Sequence, residues 1–219
     1  MAARVEMPGR LFGGYIFDLD GTLVDSMPTH YRAWRKALAE HGAPHRAFLW
    51  PEFTAHGGMA APDIVRDLNR TYNLDMDAEA VAQYKRECYT HLLQTEQLPA
   101  IPEMRDLVRM LRERGIPYAI GTGSIMPGPL ETLGSAGMED WFPIIVTPDD
   151  VPPGRGKPAP DIFLRCAELM GVDPHDCVVF EDGEPGLHAA ATAGMASVRV
   201  GQCPPAGRVG PLAAAARGA

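Results

Sequence analysis

Five short apolar runs punctuate the chain, several of them ending in small or acidic residues: Tyr15–Asp18, Tyr118–Thr122, Ile144–Val146, Val178–Asp182 and Ser197–Val200. Runs of this length with little polar alternation suit strands buried on both faces, as in a parallel sheet. Between the later runs the apolar spacing changes to that of a helix. Met104, Leu107, Val108 and Leu111 precede Gly115; Leu130 and Leu133 precede Gly137; Phe163, Cys166 and Met170 precede Gly171; Leu187, Ala190 and Ala191 precede Gly194. A glycine just past the last periodic residue is a helix stop signal. Alternating strand and helix predicts an α/β fold, a Rossmann-like parallel sheet with helices on both faces, whose ligands gather at the carboxyl ends of the strands.

The first crossover breaks the rhythm. About a hundred residues separate Asp18 from Tyr118, far more than the dozen or so that a crossover needs. Inside that interval Tyr31, Trp34 and Leu38 mark a helix from Pro28 to His41, stopped by Gly42. Ile64, Leu68 and Tyr72 mark a second, and Val81, Tyr84, Cys88 and Leu92 a third. The pattern predicts an inserted all-helical cap over residues 28–98, on a discontinuous core of residues 1–27 and 99–203. The joints fall near Asp25–Met27 and Leu98–Ile101, where Pro99 and Pro102 suit a sharp turn. Residues 204–219, rich in Pro, Gly and Ala, predict a flexible tail. No internal repeat is found.

Composition adds limits more than detail. The 219 residues are 46% hydrophobic with a formal net charge of −8, enough apolar material for a core and the wrong sign for a broad nucleic-acid or acidic-membrane surface. The opening MAARVEMPGR lacks a signal-peptide core, and no run approaches a membrane span, so a cytoplasmic location is expected. Cys88, Cys166, Cys177 and Cys203 are widely spaced without C-x-x-C, which reads as reduced, packed thiols.

The chemistry lies where the apolar runs stop. Asp18 and Asp20 stand one residue apart at the end of the first run, and Gly21 lets the chain turn there. Glu181 and Asp182 end the fourth run in the same way, and parallel strands bring both pairs to one edge. Like charges about 4 Å apart repel by roughly 4 kcal/mol at an effective dielectric near 20, so the cluster calls for a cation or a shared proton. An all-oxygen site suits Mg²⁺ better than zinc. One carboxylate beside such an ion can attack phosphorus, and the second can move protons for the leaving oxygen and for water. Thr122, with the N–H groups of Gly123 and Ser124, and Lys157 in GKPAPDIF supply donors for phosphate oxygens.

The ordered set Asp18-Leu19-Asp20-Gly21-Thr22, Thr122, Lys157-Pro158 and Glu181-Asp182 resembles the haloacid dehalogenase-like superfamily, from Tyr15 to about Val200. The resemblance implies Asp18 as the nucleophile forming an aspartyl phosphate and Asp20 as general acid and base. Thr122 and Lys157 would hold phosphate. Asp18, the carbonyl of Asp20 and Asp182 would bind Mg²⁺, with Glu181 beside the metal. An acid at Asp20 favours phosphate esters over the dehalogenating and phosphonate-cleaving branches. DGTLVDSMPTHYRAW, GKPAPDIFLRCAELMGV and VVFEDGEPGLHAAATAGM look like the β-phosphoglucomutase and fructose-1-phosphatase neighbourhood. There His30 and Trp34 would open the cap and face the core, with His30 touching Asp20 or substrate.

Two departures from that pattern stand out. The cap arginine with which the mutases grip a second phosphate falls on Ala61 when Gly58 is aligned, and Arg66 reads as a solvated helix residue. Gly183 stands where serine or alanine is common, with little functional effect expected. A phosphatase for a small sugar monophosphate is therefore the main expectation, a hexose-phosphate mutase the alternative, and a non-catalytic binding protein the third. Partners are limited to the phosphate ester, with a monomer or weak homodimer expected. GTGSIM lacks the third glycine of a dinucleotide fingerprint, and Lys157 lacks a Walker loop. His41 and His45 are separated by helix-breaking Gly42 and Pro44, and no G-x-S-x-G elbow occurs.

Overall fold

The structure is a computed structural model that describes residues 9–201. The predicted tail and Cys203 lie outside the described residues. Five strands, β1 (Gly14–Phe17), β2 (Tyr118–Gly121), β3 (Ile145–Val146), β4 (Cys177–Glu181) and β5 (Ala196–Arg199), form one parallel sheet in the order β3-β2-β1-β4-β5. The chain winds outward from β1 to β2 and β3, then returns to the other side of β1 as β4. That reversal opens a crevice beyond the carboxyl ends of β1 and β4.

Side chains alternate across the sheet as the strand period requires. Tyr15, Phe17, Ile120, Val178 and Phe180 face one layer, formed by α5 (Pro102–Arg114) through Met104, Leu107, Val108 and Leu111 and by α6 (Gly128–Ser135) through Leu133. Ile16, Ala119, Cys177 and Val179 face the other, formed by α7 (Asp161–Met170) through Ile162, Phe163 and Cys166 and by α8 (Glu184–Thr192) through Ala189 and Ala190. The central strands β1 and β4 are thus buried on both faces, whereas the edge strand β5 departs from that expectation, with Ser197 and Arg199 exposed on one face because, among the described residues, no further strand or helix covers that edge. The five predicted strands and the four helices between them are present, with ends shifted by a residue or so.

The long first crossover contains α1 (Met27–Glu40), α2 (Trp50–Ala55), α3 (Ala61–Tyr72) and α4 (Ala78–Leu93). They bury a cluster of their own: Trp34, Leu38, Phe48, Phe53, Ile64, Leu68 and Val81. The helix α2 went unread in the sequence because its six residues bury only Phe53, too little for a period to show. The two strands of chain that join these helices to the sheet run side by side. Asp25 N–H donates to Pro99 O (2.9 Å) and Ile101 N–H to Leu23 O (2.8 Å).

Two apolar positions depart from the expected pattern. Leu130 is 46% exposed although Leu133 is buried, and Ala191 is exposed while Ala189 and Ala190 are buried. In a helix of eight or nine residues the buried face depends on the angle at which the helix meets the sheet, which two or three apolar residues do not specify. Buried Cys88, Cys166 and Cys177 are free thiols, as expected. Among the described residues no helix is long and apolar enough to cross a membrane.

Candidate active site

The register sets the site. Phe17 pairs with Phe180 on one side and Ile120 on the other, so the next residues along, Asp18, Glu181 and Gly121, end level with one another. Asp18 still belongs to the ladder, its N–H donating to Phe180 O at 2.9 Å. The ladder therefore fixes the backbone from which its side chain leaves the sheet. Asp18, Glu181 and Asp182 bring one carboxylate oxygen each to within 4.8 Å of one another. The side chain of Asp20 is not part of that group.

Lys157 joins the cluster from the loop before α7. Its Nζ donates to Asp18 Oδ1 (2.6 Å) and Glu181 Oε1 (2.7 Å), and its side chain has no exposed surface. Burial alone lowers a lysine, but Asp18 and Glu181 reverse that and raise its pKa. Asp18 moves well above the ordinary carboxylate range. Burial is the main cause, opposed by the Lys157 charge and reinforced by Glu181 and Asp182. Asp18 and Glu181 thus share the Lys157 ammonium, with the Asp182 carboxylate close beside them. The donors are all oxygens apart from the lysine, so a hard divalent cation fits the cluster.

Glu181 is held by a contact that was not read from the sequence. A Cβ added at Gly186 would lie 1.7 Å from Glu181 Oε1, so the first turn of α8 accommodates the carboxylate only with a hydrogen at that position. Gly21, with φ of +88°, makes the predicted turn after Asp20.

Asp20 sits in a separate and polar pocket. Its Oδ1 accepts from Ser26 Oγ (2.7 Å) and from His30 Nε2 (2.9 Å), and its Oδ2 accepts from Ser124 Oγ (2.8 Å). Burial pushes this carboxyl up, but the His30 ring and the three hydrogen bonds outweigh it and hold it well below its usual value. The two acids of the D-x-D pair therefore have opposite electrostatics. Asp18 is raised by burial and then by its like-charged neighbours, and Asp20 is stabilised as an anion by donors.

His30 is predicted at this site; its supports are not. Lys85 on α4 donates through Nζ to His30 Nδ1 at 2.8 Å. An ammonium has no acceptor to offer, so Nδ1 accepts and Nε2 carries the proton given to Asp20. Burial and the Lys85 charge lower the His30 pKa against the pull of Asp20. Tyr89 stacks on the ring at 3.8 Å between centroids and 7° between planes. The Tyr89 hydroxyl shares a 2.9 Å hydrogen bond with Thr132 on α6, so the inserted helices reach the core through this stack. A signal for Lys85 existed: it lies four residues after Val81 and three before Cys88, on the buried stripe of α4, where an unpaired lysine is rare.

The loop after β2 differs in part from its expectation. Thr122 is buried beside the site, with its N–H donating to Val146 O at 3.0 Å. The Ser124 N–H is not free: it donates to Thr122 Oγ1 at 3.0 Å, and the Ser124 hydroxyl belongs to Asp20. A threonine two residues before an amide commonly folds back on it in this way. Gly123 borders the cavity between the two.

That cavity, about 900 Å³, lies between the sheet edge and the inserted helices. Asp18, Asp20, His30, Lys85, Thr122 and Asp182 border it from the site side, and His56, Met59, Ala61 and Arg86 from the helical side. Ala61 does line the cavity, whereas Arg66 pairs with Asp63 (2.7 Å) and Glu79 (2.8 Å) at the surface.

A family model for haloacid dehalogenase-like hydrolases matches residues 12–194. The chain belongs to this family. Among curated proteins, it is 37% identical over 191 residues to the fructose-1-phosphate phosphatase YqaB of Escherichia coli K12, covering 86% of this chain and 96% of that one. It is 35% identical to hexitol phosphatase A of the same organism, over 85% and 82% of the two chains. The solved structure of a hydrolase from Pseudomonas syringae superposes with a TM-score of 0.74 at 28% identity, covering 84% and 82%. A β-phosphoglucomutase from Clostridium difficile, at 24% identity and a TM-score of 0.73 over 85% and 83%, shares the fold.

Proposed function

We propose that this haloacid dehalogenase-like hydrolase is a Mg²⁺-dependent phosphatase of a small sugar or polyol monophosphate, working through an aspartyl phosphate on Asp18. The observation that carries the reading is the electrostatic division of the pair: Asp18 in an anion-rich cluster with Lys157, and Asp20 in a pocket of donors. Asp18, Asp182 and the Asp20 carbonyl would hold Mg²⁺ with Glu181 beside it; the ion would ease the repulsion between these carboxylates and polarise a phosphate oxygen.

The chain's own groups account for the rest. Lys157 holds Asp18 Oδ1, so the other carboxylate oxygen attacks phosphorus while the ester P–O bond breaks. The leaving alkoxide takes a proton from Asp20. Water then attacks the acyl phosphate as Asp20 takes its proton, the bond from Asp18 to phosphorus breaks, and Asp20 passes the proton to solvent as inorganic phosphate leaves, which restores the resting anion. Asp20 rests as the anion, the form required for the second step. A phosphate dianion arriving beside it raises its pKa and favours the protonated form needed for the first. Thr122, Gly123 and Lys157 meet the phosphate oxygens, and residues 28–98 act as a cap that closes over the cavity and sets substrate choice.

The names of the relatives support a carbohydrate phosphate as substrate. Ala61 at the cavity wall, with Arg66 committed to Asp63 and Glu79, supports a monophosphate over a bisphosphate intermediate. The test is phosphate release from a panel of sugar, polyol and nucleoside monophosphates with Mg²⁺, for the wild type and Asp18→Asn. Release from sugar or polyol phosphates by the wild type alone is expected. Substantial turnover by Asp18→Asn would exclude the covalent route. Conversion of β-glucose 1-phosphate to glucose 6-phosphate, with 1,6-bisphosphate primer and little free phosphate, would replace the phosphatase by a mutase.

A further inference from the structure

The inserted helices touch the sheet edge at a place where neither side has a side chain. A Cβ built on Gly123 would lie 2.9 Å from the carbonyl oxygen of Gly58 and 3.4 Å from its carbonyl carbon. One built on Gly183 would lie 3.3 Å from the carbonyl oxygen of Gly57 and 3.5 Å from its carbon. Gly58 itself, at a φ of +84°, rests over the stem of Lys157, with 3.5 Å from its own Cβ position to Lys157 Cδ and 3.8 Å to Pro185 Cβ. The Gly57–Gly58 turn between α2 and α3 thus meets three core segments at once: the loop after β2, the loop carrying Lys157 and the start of α8.

We infer that Gly123 and Gly183 are positioning residues, which set how deeply the Gly57–Gly58 turn seats on the core and so how completely the site closes. The nearest obstacle to a larger residue is backbone at both positions, with Glu181 Oε2 also 3.5 Å from the Cβ position of Gly183. A flexible side chain could rotate away, but a peptide carbonyl moves only with the turn and the helices attached to it. Neither Gly123 nor Gly183 has a positive φ, so alanine is compatible with both backbones and its effect is steric. Gly183 therefore has a consequence that its place in the sequence did not reveal. The contact also lies directly over the site: Gly123 follows the buried Thr122, and the Gly183 N–H donates to Glu181 Oε2 at 2.7 Å.

The inference rests on reading residues 28–98 as a cap that opens and closes, and its test has one arm independent of activity. Hydrogen exchange of the segment spanning residues 55–60 is compared in wild type, Gly183→Ala, Gly183→Val and Gly123→Ala, with the β1 amides as an internal control for global folding. Exchange at 55–60 should speed up in the order wild type, Gly183→Ala, Gly183→Val, while β1 stays protected. In the second arm, kcat/KM for fructose 1-phosphate should fall roughly tenfold in Gly183→Val, through kcat more than KM, because a displaced cap leaves the reacting groups misaligned and wet. Acetyl phosphate, whose acetate leaving group needs no proton from Asp20, should lose far less. Unchanged exchange at 55–60 in Gly183→Val would overturn the inference, as would equal losses for the two substrates. If the wild type hydrolyses neither substrate, the phosphatase reading fails while the exchange arm still decides the seat.

Discussion

Lys85 is a cation placed where burial opposes it, and that makes stability and activity respond to pH in opposite directions. Burial, with Arg86 adding to it and Asp20 opposing it, lowers its pKa from the ordinary 10.5 to about 8. In the unfolded chain the amine keeps its ordinary value. Between pH 8 and 10.5 the unfolded state therefore holds a proton that the folded state has lost, and stability from this group rises with pH. Integrated from pH 7 to pH 10, the gain is about 2.5 kcal/mol, a ceiling because Lys85 borders the cavity and water there screens part of the charge. Lys85→Met removes the slope. The variant also leaves His30 Nδ1 unpaired and gives up the contacts of the cation with Tyr89 (5.2 Å) and Trp34 (5.8 Å), which depend on the same proton and belong to the same slope. Urea unfolding of both proteins at pH 7, 8, 9 and 10 measures the difference directly. Wild type should gain roughly 1–2.5 kcal/mol on the variant across that range, while its own kcat/KM falls above about pH 8 as the donor to His30 loses its charge. A stability difference that stays flat from pH 7 to pH 10 would refute the reasoning.

Other perturbations probe different parts of the structure. Lys157→Met leaves Asp18 and Glu181 without their ammonium and should cost about 3–5 kcal/mol. Added Mg²⁺ should raise the Tm of that variant more than that of the wild type, because the ion then takes up the whole charge of the cluster; an equal rise in both would count against a cation at this site. Gly186→Ala drives a methyl into Glu181 and should lower stability by about 1–3 kcal/mol and reduce turnover, seen by calorimetry and phosphate release. Leu111→Ala, fully buried between α5 and the sheet, should cost about 2–5 kcal/mol with KM unchanged, a loss seen by denaturant midpoint alone. Treatment with a chelator should stop phosphate release, and Mg²⁺ should restore it; full activity in the chelated protein would contradict the metal reading.

The layers of this fold were legible because their signals are local. Val178 and Phe180 alternate with Cys177 and Val179 toward two different helical layers, yet all four are apolar. A strand that reads as continuously apolar therefore announces a sheet covered on both sides. The helix stops at Gly115 and Gly171 were legible for a similar reason, since both sit in the left-handed conformation at a helix end. The phase of a short helix was not, as Leu130 and Ala191 show, because it depends on what the helix packs against.

For the site, the sequence by itself determined which groups stand at strand ends: Asp18, Thr122 and Glu181, with Asp20 and Lys157 on the adjoining loops. Parallel pairing makes strand ends converge, so order along the chain implied proximity. Only the tertiary structure decided how those charges are divided. It placed Lys157 between Asp18 and Glu181, turned Ser26, His30 and Ser124 toward Asp20, and brought Lys85 and Tyr89 across from α4, 55 residues beyond His30 in the case of Lys85. These contacts join segments that share no period and no local geometry. Electrostatic energy depends on distance and burial in three dimensions, and neither quantity is carried by the spacing of residues along the chain.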